Sequence, residues 1–284
     1  MADVFISYSR KDRDFMGTLY DALKSEERDI WVDWEDIPPT AEWLKEIFEA
    51  IESAHTFVFV ISPDSVASKT CLAELKHAQS HNKRIIPLLC RDVIVVEVPA
   101  EIEKINWVLF REKDDFDQSM AKLESAIDLD LEWVKAHTRL LVRAKEWDSK
   151  NKDKSYVLAG ADLNEAQKWL MAADEHDPKP IQLQVSYITA SQQGAVELQR
   201  KQLRGFYIVS IVYAVFQSII SYFIVFDEIS ETGLVFLSPV WLLGLVFGIA
   251  GLTVGRNSLK KAVVVTMLAG VSLYAFFIVV WPLL

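Results

Sequence analysis

The feature that most limits what this chain can become lies at its end. Across residues 205–284 the only formal charges are Asp227, Glu228, Glu231, Arg256, Lys260 and Lys261. They leave three uncharged stretches, about 206–226, 234–254 and 262–284. Each is about 20 residues long, the length an α-helix needs to cross the hydrocarbon core of a bilayer. Three such stretches in series predict three transmembrane helices rather than buried core helices. Arg200, Lys201 and Arg204 precede the first, Arg256, Lys260 and Lys261 separate the second from the third, and the acidic residues separate the first from the second. Basic residues stay on the cytoplasmic side. The pattern therefore predicts a multi-pass protein of the inner or plasma membrane, with residues 1–204 in the cytoplasm and the C-terminus outside. No span carries an ionisable residue of the kind that marks an ion path, so the spans read as an anchor rather than a transporter. Gly244 and Gly248, then Gly251 and Gly255, have the small-xxx-small spacing that lets helix backbones approach closely.

The six charges of the C-terminal region cancel, so the formal net charge of −10 sits wholly in residues 1–204. An acidic soluble part excludes the basic surface that a nucleic-acid binder uses to displace counterions. Cys71 and Cys90 are the only cysteines, with no framework spacing, so disulfides are not expected. The start, Met-Ala-Asp-Val-Phe, has neither the basic nor the apolar region of a secretory signal, leaving insertion to the C-terminal segments.

Residues 3–110 alternate short apolar runs with stretches of helical period. The runs are Val4–Ile6, Ile30–Val32, Thr56–Ile61, Arg84–Leu89 and Trp107–Phe110. They are continuous rather than alternating, as expected of strands buried on both faces. Phe15, Leu19 and Leu23 recur at helical spacing between the first two runs, and Trp43, Leu44, Ile47, Phe48 and Ile51 between the next two. The repetition predicts an α/β domain with a doubly wound, five-stranded parallel sheet. Function in such sheets gathers beyond the carboxyl ends of the strands, here Ser7–Asp12, Asp33–Thr40 and Ser62–Glu74. Beyond residue 125, Trp133, Val134, His137, Leu140, Leu141, Ala144 and Trp147 predict one helix. Leu163, Ala166, Trp169 and Leu170 predict a shorter one started by Asp162, and a helical run near Tyr187 follows a break at Asp177–Pro180. The expected organisation is a domain over 1–125, a helical connector over 126–204 and a transmembrane region over 205–284.

Three ordered boxes carry a resemblance. The stretch Asp3-Val4-Phe5-Ile6-Ser7-Tyr8-Ser9-Arg10-Lys11-Asp12 resembles the opening box of the Toll/interleukin-1 receptor (TIR) domain. Trp31-Val32-Asp33-Trp34-Glu35-Asp36-Ile37-Pro38 is similar to the second strand and BB loop of that family. Phe57-Val58-Phe59-Val60-Ile61-Ser62-Pro63, followed by Ser68-Lys69-Thr70-Cys71-Leu72-Ala73-Glu74-Leu75, is similar to the third strand and the helix bearing the family's glutamate. The resemblance implies a flavodoxin-like fold. It also implies one of two roles: a signalling adaptor that recruits other TIR domains, or an enzyme that cleaves the nicotinamide–ribose bond of NAD. The helical stretches His137–Ala144 and Tyr187–Ser191 are similar to connectors that follow TIR domains in bacterial proteins.

On the enzymatic reading the resemblance assigns Glu74, at the start of its helix, as the catalytic carboxylate. Phe5, Ser7, Arg10 and Asp36 would be substrate-binding residues, with Arg10 facing the diphosphate and Asp36 the ribose. NAD would be a substrate, not a cofactor, because the chain has no P-loop or dinucleotide glycine fingerprint. Each residue also has a plainer role open to it: a solvated helix glutamate, a core phenylalanine, a turn hydroxyl, a solvated arginine, a capping aspartate. Enzymatic relatives often carry tryptophan where this chain has Thr70, and the BB loop, with Pro38-Pro39, lacks the common glycine. His77 and His81 lie one helical turn apart, the spacing of a zinc pair, but with no paired motif no metal site is expected. The resemblance further implies self-association and places the protein among membrane-bound effectors of bacterial antiphage defence. A non-catalytic adaptor and an effector whose spans disrupt the membrane are the alternatives.

Overall fold

The computed structural model describes residues 2–33, 41–94 and 98–226. Its first element is strand β1 (Val4–Ser7), followed by a 3₁₀ turn over Arg10–Asp12 and helix α1 (Arg13–Ser25). Then come β2 (Ile30–Val32), α2 (Ala41–Ser53), β3 (Thr56–Ile61), a single turn α3 (Pro63–Val66) and α4 (Lys69–Ser80). The alternation closes with β4 (Arg84–Leu89), α5 (Ala100–Glu103), β5 (Val108–Leu109) and α6 (Phe116–Asp128). The strands form one parallel sheet in the order β2-β1-β3-β4-β5, with Val4 beside both Ile30 and Thr56, and Thr56 beside Arg84. The five apolar runs in the sequence coincide with the five strands to within two residues at each end.

Continuous apolar strands work here because both faces of the sheet are covered. Val4, Ile6, Val58 and Val60 point to the face holding Met16, Leu19 and Leu23 of α1 and Leu123 of α6. Phe5, Phe57, Phe59 and Ile61, the alternate residues, point to the face holding Ile47 and Ile51 of α2 and Leu75 and Ala78 of α4. The period of two along each strand thus feeds two cores, and a one-residue slip would exchange them. Burying one Phe or Leu in such a core contributes about 1.5–3 kcal/mol, so these two clusters carry most of the domain's stability.

Serines punctuate the chain at the carboxyl edge of the sheet. Ser62 and Ser65 make a reciprocal capping box around α3, with Pro63 at its first position. The Ser68 hydroxyl accepts from the Cys71 amide and starts α4. Together they turn the chain out of β3 and lay α4 back across the sheet, close to the end of β1.

A third cluster lies beyond α6. Helix α7 (Leu131–Ser149) and α8 (Gly160–Met171) pack with the first turns of α9 (Gln182–Phe226) around Trp133, Leu140, Trp147, Leu163, Trp169 and Tyr187. Helix α8 begins two residues before the Asp162 expected to start it, and Asp162 makes an ion pair with Arg143 of α7 instead of capping. The chain divides into two units, Met1–Ala195 and Val196–Leu284. The first apolar stretch, 206–226, has a helical backbone as the later part of α9. The stretches 234–254 and 262–284, with both glycine patterns, lie outside the described residues, as does the BB loop over 34–40. Among the described residues, no helix is long and apolar enough to cross a membrane.

Candidate functional site

A strand order of 2-1-3-4-5 reverses direction at β1, and ligands of such sheets bind outside the carboxyl ends of the strands at that point. A cavity of about 250 Å³ opens there. Residues from Phe5 to Arg10 line it, joined by Asp33 after β2, Trp43 of α2, Ser68, and Thr70, Cys71 and Glu74 of α4. Four of the five residues the sequence singles out are brought together in it or on its wall; Asp36 lies outside the described residues.

Glu74 is not at the start of its helix but in its second turn, and only 6% of it is exposed. That rules out the solvated role open to it in the sequence. Its Oε2 accepts a hydrogen bond of 2.5 Å from Ser7 Oγ, at the last position of β1. Burial pushes the carboxyl up to about 7. The Ser7 hydroxyl pulls it down and the charge of Asp33 adds to the rise. Such a group changes charge near neutrality, a property often concentrated at working sites. Its neighbour Cys71 donates to the Tyr8 carbonyl at 3.3 Å and is pushed up to about 11, chiefly by burial. It therefore stays a thiol and is no nucleophile at neutral pH.

The remaining predicted residues divide by role. Phe5 is 1% exposed and stacks between Trp31 (4.6 Å between centroids) and Phe57 (5.5 Å), so it is core as well as pocket wall. Arg10 sits at the exposed mouth, 3.5 Å from the Asp33 carboxylate. In the sequence Trp43 belongs to an apolar helix face. It brings an indole to the pocket from α2, while α4 contributes Thr70. Its position in the first turn after the BB loop was the available signal. A polar network frames the edge: buried Asp12 accepts from Ser62 Oγ at 2.6 Å and from Arg91, which also reaches Asp64. This network ties the chain after β1 to the chain after β3 and β4.

A buried carboxyl held by a strand-end serine, with an arginine at the mouth, lines the pocket beyond β1. Residues 4–124 match the family model described as TIR domain. This part of the chain is a TIR domain. The match covers less than half of the 284 residues. Similar solved structures include the TIR domain of a Toll-related receptor from Hydra magnipapillata, at 26% identity over 45% of this chain and 98% of that one, with a TM-score of 0.39. Two structures of a metazoan TIR-STING receptor from C. gigas are also similar. The one in complex with 2′,3′-cGAMP is 24% identical (TM-score 0.38) and the other 22% identical (TM-score 0.37). Each matches 45% of this chain, which spans 39% and 40% of those receptors. No curated protein matches the chain.

Proposed function

We propose that this TIR domain is an NAD glycohydrolase, releasing nicotinamide from NAD at the pocket beyond β1. The observation that carries the reading is Glu74, a buried carboxyl at the pocket whose ionisation falls near neutral pH and whose orientation is fixed by Ser7. Nicotinamide leaves a cationic pyridinium as a neutral molecule, taking the electron pair of the bond to ribose C1′, so no acid is needed to protonate it. Positive charge develops on the ribose. An ionised Glu74 would stabilise that oxocarbenium, as carboxylates do in glycoside hydrolysis. Water then bonds to C1′ and gives up its proton through the same carboxylate to solvent, leaving ADP-ribose. The cationic substrate itself favours the ionised form of Glu74.

Arg10 at the mouth offers a guanidinium to the diphosphate, the chemistry for which arginine is suited. Trp43 offers an aromatic face to a planar ring. Asp36 keeps its proposed contact with the ribose.

We further propose that the protein is held at the inner face of a bacterial inner membrane or plasma membrane by the C-terminal apolar stretches. Exposed Ile208, Val212 and Phe216, spaced every four residues on α9, support an apolar surface there. Self-association of TIR domains and a part in antiphage defence rest on the family resemblance. The test is nicotinamide release by wild type and Glu74→Gln. A wild type inactive at every protein concentration would favour the adaptor reading.

A further inference from the structure

Away from the pocket, α2, α4 and α7 bring a second group of side chains together. His77 Nε2 lies 2.8 Å from Glu52 Oε1, and His81 Nε2 lies 3.6 Å from the same oxygen. One ligand atom from each of the three residues falls within 4.8 Å of the others. Around a tetrahedral zinc with bonds of about 2.0–2.1 Å, adjacent ligand atoms stand about 3.3 Å apart. The two separations from Glu52 Oε1, 2.8 and 3.6 Å, bracket that value. The cluster is largely buried but reachable from solvent: the side chains are 9% (Glu52), 18% (His77) and 16% (His81) exposed.

Both imidazoles are held in orientation. His81 Nδ1 lies 2.9 Å from the His77 carbonyl. A carbonyl can only accept, so Nδ1 carries the proton and Nε2 turns its lone pair toward Glu52. A histidine fixed through the nitrogen that does not bind the metal is the usual arrangement of metal-ligating imidazole. The His77 ring stacks on Phe48 of α2, 4.1 Å between centroids and 5° from parallel, which sets its plane. The carboxylate already carries a cation, since the Lys145 ammonium of α7 contacts Glu52 Oε1. That side chain is 37% exposed and can withdraw to solvent.

We propose that Glu52, His77 and His81 form a binding site for a zinc-class divalent ion, which replaces Lys145 as the counter-ion of Glu52 and clamps α2 to α4. Two imidazole nitrogens select a late first-row transition metal over magnesium or calcium. Water completes the coordination on the open side, and His77 takes its proton on Nδ1 when Nε2 binds. The clamp joins the helix that carries Trp43 to the helix that carries Glu74, whatever reaction that pocket performs. The sequence alone, with two histidines and no third ligand in view, predicts no metal; the third ligand arrives from a separate helix 25 residues before His77.

The test is zinc and cobalt titration of the chelator-stripped full-length protein by calorimetry and visible absorption. One equivalent should bind per chain, with the strong visible bands of four-coordinate Co²⁺, and zinc should abolish them. His81→Ala should weaken binding by more than about 100-fold, because losing even an outer partner of a ligand commonly costs 10–100-fold. Lys145→Met, which removes a competing cation, should tighten binding by roughly 30-fold, the effect of taking one positive charge away from about 4 Å of a divalent ion in water. A cluster that is only an ion-pair knot predicts no stoichiometric binding in wild type or in Lys145→Met with circular dichroism unchanged, and that result overturns the proposal. Weaker binding in Lys145→Met, or undiminished binding in His81→Ala, overturns it equally.

Discussion

Ser7 Oγ donates a 2.5 Å hydrogen bond to Glu74 Oε2, joining the last residue of β1 to the second turn of α4 across 67 positions of sequence. The bond opposes burial: one pulls the carboxyl toward its ionised form while the other pushes it up to about 7. Replacing the serine by alanine removes only the first effect. In Ser7→Ala the acidic limb of the rate profile should therefore move to higher pH. A hydrogen bond to a charged group contributes about 1.5–3 kcal/mol, so nicotinamide release at pH 6 should fall roughly tenfold, with a much smaller loss at pH 9. A pH–rate profile of wild type and variant checks this.

The same carboxyl makes the fold sensitive to pH. Its value is raised from 4.5 to about 7, so folding favours the protonated form. The stability it contributes is fully present below about pH 4.5 and is lost as pH rises through about 7. At 1.36 kcal/mol per pH unit the loss is on the order of 3 kcal/mol. Glu74→Gln cannot ionise and can still accept from Ser7. It should match wild type in urea unfolding at pH 4.5 and exceed it at pH 8 by on the order of 2–3 kcal/mol, a gain in stability where activity is lost.

Trp43 supplies an aromatic face from α2. Trp43→Ala should raise KM for NAD by roughly 3–10-fold with a smaller change in kcat, given the 0.5–1.5 kcal/mol typical of aromatic pairs. Trp43→Phe should recover most of the loss. Steady-state kinetics on both variants separates a contact with bound substrate from a general loosening of α2, which would lower kcat in both.

The fold was legible in the sequence because its central strands, β1, β3 and most of β4, are buried on both faces. Apolar residues therefore follow one another without alternation, and Thr56–Ile61 and Ile85–Leu89 stand out as continuous runs. The pocket was legible in part. Glu74 and Ser7 fall in family boxes, but the burial of Glu74 was not readable, because it depends on how α4 settles on the sheet after two serine-capped turns. The roles of Trp43 and Asp12 are hidden in the sequence for a related reason. One looks like any apolar helix residue and the other like any surface aspartate until the chain places them. Glu52 needed the packing of α2 on α4 to meet His77. The expected start of α8 at Asp162 failed because an ion pair with Arg143 was available to that side chain.

The basic residues on either side of the apolar stretches predict an external C-terminus. A reporter fused after Leu284 should give a periplasmic or extracellular readout, and one fused before Met1 a cytoplasmic one. A cytoplasmic readout at both ends would mean that an even number of the three stretches crosses the bilayer.

The most direct measurement is nicotinamide release from NAD by purified full-length protein, wild type beside Glu74→Gln, with circular dichroism to establish equal folding. Wild type should release nicotinamide, and the variant should lose on the order of 3–4 kcal/mol of barrier lowering, a few hundredfold in rate. Release that persists undiminished in folded Glu74→Gln would contradict the account.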